Sequence, residues 1–156
     1  IIFTTLLFIS YTYYGVAQSD GTYYDYQARC LGVEMDGTAT IECYGKGRNY
    51  WDAAEQAKKN AVNAILFTGI KPGNGGCNRS PLILSGSVKE LNQDYFAEFF
   101  RDNGSYTEFV NLKDERIMTK ATRKKKKAKN IQQRQVVVRV DRLGLKKRMK
   151  EDGIIK

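Results

Sequence analysis

Residues 44–61 read YGKGRNYWDAAEQAKKNA, a Gly-x-Gly that leaves a strand-like segment and runs straight into an alanine-rich stretch. Two accounts fit such a passage: a phosphate-binding loop, or a place where strand and helix pack with nothing between their backbones. A dinucleotide fingerprint requires Gly-x-Gly-x-x-Gly after a parallel strand, and Tyr50 stands at the third position. A P-loop requires Gly-x-x-x-x-Gly-Lys-Ser/Thr, which GKGRNYWD does not supply. Gly45 and Gly47 are therefore read as structural turn glycines that bring the strand tightly onto its helix, and no cofactor is expected there.

Working downstream, Ala53, Ala54, Ala57, Ala61, Ala64 and Ile65 recur at spacings of three and four, which predicts a helix over 50–67 with a small-residue face. Trp51, Val62, Ile65 and Leu66 supply bulk at its edges. Asn49 is the expected N-cap, and Asp52 and Glu55 suit the positive end of the helix dipole. Working upstream, residues 26–44 read as two strands around Asp36-Gly37, a pair favoured by two-residue hairpin turns. With those two residues as the loop, Cys30 faces Cys43 in a non-hydrogen-bonded pair, where Cα atoms come closest. In an exported protein that pair is a candidate cross-strand disulfide. The alternative, two small apolar residues on a packed face, is equally compatible, because free cysteine is among the most buried types. Either way Ala28, Cys30 and Gly32 share a small-residue face with Ala39, Ile41 and Cys43, and Cys77 is the odd cysteine.

The remainder of the chain alternates clearly. Residues 68–87 form a glycine- and proline-rich loop. A second helix is expected over 88–101, with Leu91, Tyr95 and Phe99 along one face and Phe96 and Phe100 beside them, ended by Asp102-Asn103-Gly104-Ser105. One or two strands follow over 109–122, then the strongest strand, QRQVVVRV at 133–140. The tail LGLKKRMKEDGIIK is a short amphipathic helix on Leu143, Leu145 and Met149, closed by Gly153. The simplest architecture for this order is α+β: a mostly antiparallel sheet with two main helices on one face and a short C-terminal helix.

Charge and composition narrow the function. The chain has 156 residues and a net charge of +9, a size that suits one domain with its own core. Residues 111–156 carry 17 Lys and Arg against 5 Asp and Glu, a net of +12, which leaves residues 1–110 at −3. The loudest basic feature is RKKKKAK at 123–129: Arg123, Lys124, Lys125, Lys126, Lys127 and Lys129. Such a run binds nucleic acid, anionic lipid or acidic glycan, or is simply a solvated hairpin tip. Tyr23, Tyr24 and Tyr26 offer an aromatic surface, for which strand packing is the cheaper explanation.

There is no histidine, so the commonest general base and metal ligand is missing. No Gly-x-Ser-x-Gly elbow and no Cys-x-x-Cys appear. Asp114 and Glu115 are adjacent and point to opposite faces of any strand. No enzyme is read from these residues, and no metal site. The apolar run IIFTTLLFISYTYYGVAQS ends in Gly15-Val16-Ala17, a small-x-small pattern before Gln18. It reads as a signal peptide over 1–17, truncated at its start, with a single domain over 18–156; a buried first strand is the alternative. The run is too short and too polar for a membrane span, and no cysteine at the cleavage point supports a lipid anchor.

GKGRNYWDAAEQAKKNAVNAIL at 45–66 and QVVVRVDRLGLKKRMKEDGII at 135–155 resemble the N-terminal domain of the flagellar assembly protein T group and related small envelope lipoproteins. They are similar also to uncharacterised exported proteins of Bacteroidetes-type bacteria. The resemblance covers about half of the chain after the leader and rests on packing residues. It implies a periplasmic or outer-membrane-associated scaffold or assembly component without enzymatic activity, with an envelope protein as partner. For an exported chain, an anionic surface or glycan is a better expectation than nucleic acid. The lysine run, the cysteines and the missing lipobox depart from that family, and a flagellar role is not carried over.

Overall fold

A computed structural model describes residues 28–73, 75–113 and 132–156. The leader over 1–17, Tyr23, Tyr24 and Tyr26, most of the strand region over 109–122 and the basic run from Arg123 to Lys129 lie outside the described residues. Among the described residues four strands form one antiparallel sheet: β1 (Arg29–Val33), β2 (Ala39–Gly47), β3 (Val110–Leu112) and β4 (Gln132–Val140), in the order β1-β2-β4-β3. The helices are α1 (Tyr50–Asn63), extended by a π-helical turn (Ala64–Thr68), then α2 (Gly86–Leu91), α3 (Gln93–Phe99) and α4 (Arg142–Glu151). This is the α+β architecture read from the sequence.

Alternation decides which side of the sheet is covered. Ala39, Ile41 and Cys43 on β2 oppose Val140, Val138 and Val136 on β4, and all six are buried. Each fully buried valine or isoleucine contributes roughly 1.5–3 kcal/mol. The alanine face of α1 closes over this surface with Ala53, Ala54, Ala57 and Ala61 buried. Trp51, read as bulk at the helix edge, stands nearly half exposed. Phe96, Phe99 and Phe100, with Tyr106, Leu145 and Met149, complete one continuous core. The opposite face presents Asn111, Gln133, Gln135 and Arg139, all exposed.

The hairpin holds a correction. Glu34 donates its amide to the Thr38 carbonyl at 2.9 Å, and Gly37 donates to the Glu34 carbonyl at 3.0 Å, so the loop has three residues, 35–37. Gly37 takes φ of +84°, the left-handed conformation that such a loop reserves for glycine. The extra loop residue slips the register by one, and a bulge between Cys30 and Gly32 slips it again. Cys30 consequently opposes Ile41, not Cys43. One slip would have turned β1 inside out; two restore the face, so Ala28 and Cys30 remain buried.

The second helix is also not continuous. Asn92 leaves the helical region at φ −117° and ψ 35°, and its side-chain amide donates to the Val88 carbonyl at 2.8 Å. An asparagine that bonds its own backbone in this way competes with the helix, so α2 and α3 are separate and Leu91 turns outward. The last helix ends as the sequence suggests. Ile154 donates to the Met149 carbonyl and Gly153 to that of Lys150, with Gly153 at φ +72°, the double bond pattern of a Schellman cap.

Candidate functional site

Three regions deserve chemical scrutiny: the glycine joint, the cysteines, and the long loop. At the joint, a β-carbon on Gly45 would fall on the carbonyl oxygen of Ala53 and 2.6 Å from the Ala57 amide nitrogen. One on Gly47 would meet the Ala53 amide, with Asp52 Cβ at 2.6 Å. Helix backbone fills the space that these glycines leave open. The first turn of α1 is satisfied internally: Asn49 Oδ1 accepts from the Asp52 amide at 3.0 Å, and the Asn49 side-chain amide donates to the Asp52 carboxylate at 3.0 Å. The Asn49 side chain thus already takes an amide that a phosphate bound at this helix end would use.

The cysteines pair differently from the hairpin candidate. Cys30 is bonded to Cys77, 47 residues away, with Cα atoms 5.9 Å apart. Cys43 is a free, buried thiol, and burial pushes its pKa up to about 12. Such a thiol is inert as a nucleophile. The register slip removes Cys43 from Cys30, and the loop brings Cys77 to it. Nothing in the spacing of the three cysteines signals that partner.

The loop after α1 is long but held at several points. Lys71 donates to the Ala28 carbonyl at 2.7 Å and Cys30 donates to that of Lys71 at 3.1 Å, so the loop pairs briefly in parallel with β1 and covers part of its outer edge. A β-carbon on Gly73 would fall on the Cys30 carbonyl, which explains the glycine. Further along, Leu82 and Ile83 donate to the carbonyls of Ile65 and Leu66 at 2.9 and 2.8 Å. The π-helical turn frees those carbonyls from the usual helix ladder, so turn and loop fold as one unit. This scaffold presents Leu84, 84% exposed, and leads into α2, which buries no residue and ends at Leu91, 83% exposed. Only Val88 of α2 packs against the core, while Lys89 lies 4.7 Å over the Phe67 ring.

The shifted titratable groups serve structural contacts. On the outer face, Glu34 accepts from Thr40 Oγ1 at 2.6 Å and pairs with Lys113 at 3.4 Å and Arg139 at 3.6 Å; these hold its pKa below the ordinary value. Tyr95 donates to Asp152 at 2.5 Å, and burial together with that bond raises its pKa to about 12. Tyr106 is buried beneath Lys59, 5.5 Å away, and donates to Glu55 at 3.0 Å; burial, then Glu55, raises it further. Among the described residues no group of three or more His, Cys, Asp or Glu could hold a metal ion, and no helix is long and apolar enough to cross a membrane.

No family model matches the chain, and neither a curated protein nor a solved structure is significantly similar to it.

Proposed function

We propose that this chain is an exported, non-enzymatic accessory or assembly module of a bacterial cell envelope, and that it works by binding another protein. The observation that carries the reading is the disulfide-held loop. A connection of this length is ordinarily either functional or disordered, and this one is fixed by Cys30–Cys77 and by backbone bonds to β1 and to the π-helical turn. Fixing it gains little for the core, since among the loop's described residues only Ile70, Cys77 and Ile83 are buried. What it positions is Leu84, exposed beside the anchored Ile83, and the start of α2, at whose end Leu91 is exposed as well. Apolar side chains placed on a rigid scaffold are what a protein partner would use.

Export is supported by the signal-like start and by the disulfide, which persists in oxidising compartments. The resemblance to the flagellar assembly protein T group and related envelope proteins belongs to the same proposal. The test has two arms. Fractionation should find the protein in the envelope with Cys30 and Cys77 oxidised. Immobilised protein should then capture an envelope component that Leu84→Asp with Leu91→Asp no longer retains. A reduced, cytoplasmic protein, or capture indifferent to the two substitutions, would overturn the reading.

A further inference from the structure

The hairpin tip and the outer face of α4 meet at one end of the sheet, where Arg142, beside Leu143, also donates to the Ser80 carbonyl of the long loop at 2.7 Å. A β-carbon on Gly37 would lie 3.7 Å from Leu143 Cδ1, so the turn and the first turn of α4 are neighbours. Three aliphatic side chains stand out there: Met35 is fully exposed, Leu143 is 66% exposed and Val33 50%. Burying Leu145 and Met149 sends Leu143, Lys146, Lys147 and Lys150 outward. Their spacing of i, i+3, i+4 and i+7 makes a single stripe, about 10 Å long, in which lysines follow the leucine.

The acids of the hairpin tip and of the last turn of α4 are each engaged within the chain. Asp36 accepts from the amide and hydroxyl of Thr38 at 2.9 and 2.7 Å. Glu34 is held by Thr40, Lys113 and Arg139. Glu151 lies 3.8 Å from Lys147, and Asp152 is bound by Arg148 and Tyr95. Among the described residues Lys146 and Lys150 are in no ion pair. The stripe is therefore cationic along its length and apolar at its end.

We propose that this end of the molecule rests on an anionic lipid bilayer, with Met35, Leu143 and Val33 entering the acyl boundary while Lys146, Lys147 and Lys150 reach the headgroup phosphates. Charge complementarity selects the anionic surface. The character of the apolar group selects a bilayer over the alternatives: single-stranded nucleic acid is gripped by stacking aromatics, and protein hot spots favour Trp, Tyr and Arg, whereas these are slender aliphatic side chains beside lysine stems. The contact is peripheral and reversible. It is independent of the protein-binding face and stands or falls apart from it.

Co-sedimentation of the full chain with phosphatidylglycerol-containing vesicles and with pure phosphatidylcholine vesicles tests this at about 0.1 M salt. Binding is expected to the first and not to the second. Lys146→Gln, Lys147→Gln and Lys150→Gln together should weaken it roughly a hundredfold, about fivefold per lysine, while the three Lys→Arg replacements retain it. Met35→Ser with Leu143→Ser should cost more than about tenfold. All these side chains are exposed, so unfolding transitions should be unchanged. Lys124→Gln through Lys127→Gln, in the separate basic run, should leave the dependence on α4 intact. Equal binding to both vesicle types, an undiminished triple glutamine variant, or retention on heparin without vesicle binding would overturn the proposal.

Discussion

The backbone of Gly45 lies directly beneath that of Ala53, closely enough that a β-carbon at residue 45 would clash with the Ala53 carbonyl oxygen. Strand and helix touch main chain to main chain, and neither glycine has a positive φ. The requirement is for space, not for an unusual conformation. Gly45→Ala and Gly47→Ala should each lower stability by about 1–3 kcal/mol, as overpacking does. Gly76→Ala, which meets nothing within 4 Å, should stay within about 0.5 kcal/mol. Urea unfolding of the three variants distinguishes these outcomes. Added nucleotide should leave the melting temperature unchanged, and a clear rise would restore the phosphate-loop account of residues 44–61.

The disulfide makes a second expectation quantitative. Denatured but unreduced protein should titrate one thiol, Cys43, and three after reduction. Closing a loop with a sequence separation of 47 removes unfolded-state entropy worth about 4 kcal/mol on the chain-entropy model. Cys30→Ser with Cys77→Ser should therefore cost on that order. The first structural casualty should be the pairing of Lys71 with β1, read as faster hydrogen exchange of the backbone amides at positions 30 and 71.

Stability should decline on the alkaline side. The Cys43 thiol is raised from 9.0 to about 12 by burial, and Tyr95 from 10.0 to about 12 by burial and its bond to Asp152. Between each pair of values the folded chain keeps a proton that the unfolded chain has lost. Each contribution is thus complete below the unfolded value and is lost as pH rises toward the folded one, by up to about 1.4 kcal/mol per pH unit for the buried Cys43 and by less for Tyr95, whose bond solvent screens. Urea midpoints measured from about pH 8 to about pH 11 should fall, and Cys43→Ala should flatten the early part of that slope. A flat profile in the parent protein would contradict the burial assigned to Cys43.

On the acid side the sign reverses. Glu34, Asp102 and Asp152 are held below their ordinary values, by Thr40, Lys59 and Tyr95 respectively in the first instance. Their contributions are present above the unfolded carboxylate range and are lost as pH falls through the lowered folded values. Glu34→Gln should leave less of the midpoint to lose on acidification, because it removes the group that Lys113 and Arg139 share.

Much of this fold was legible because its signals are local. Asn49 is the N-cap, Gly153 the left-handed cap, and the valines of β4 alternate as their spacing says. What the sequence concealed depends on one-residue details or distant contacts. Asp36-Gly37 marks the turn correctly but does not count its loop, and the bulge at residue 31 has no compositional sign; together they moved Cys30 away from Cys43. Cys77 reaches Cys30 only after α1 and the loop have folded back. Leu91 looked like a core position until Asn92 broke the helix. The exposed pair Leu84 and Leu91 was invisible for the same reason, since periodicity reports a face and not what covers it.

The proposed docking of an envelope protein rests on the exposed Leu84 and Leu91. A photo-crosslinking residue at position 84 in the full chain, expressed in its own cells, measures this most directly. One discrete adduct is expected, formed from position 84 and lost with Leu91→Asp, and not formed from the exposed Gln135 on the outer face of the sheet. No adduct at position 84, or the same adducts from both positions, would contradict it.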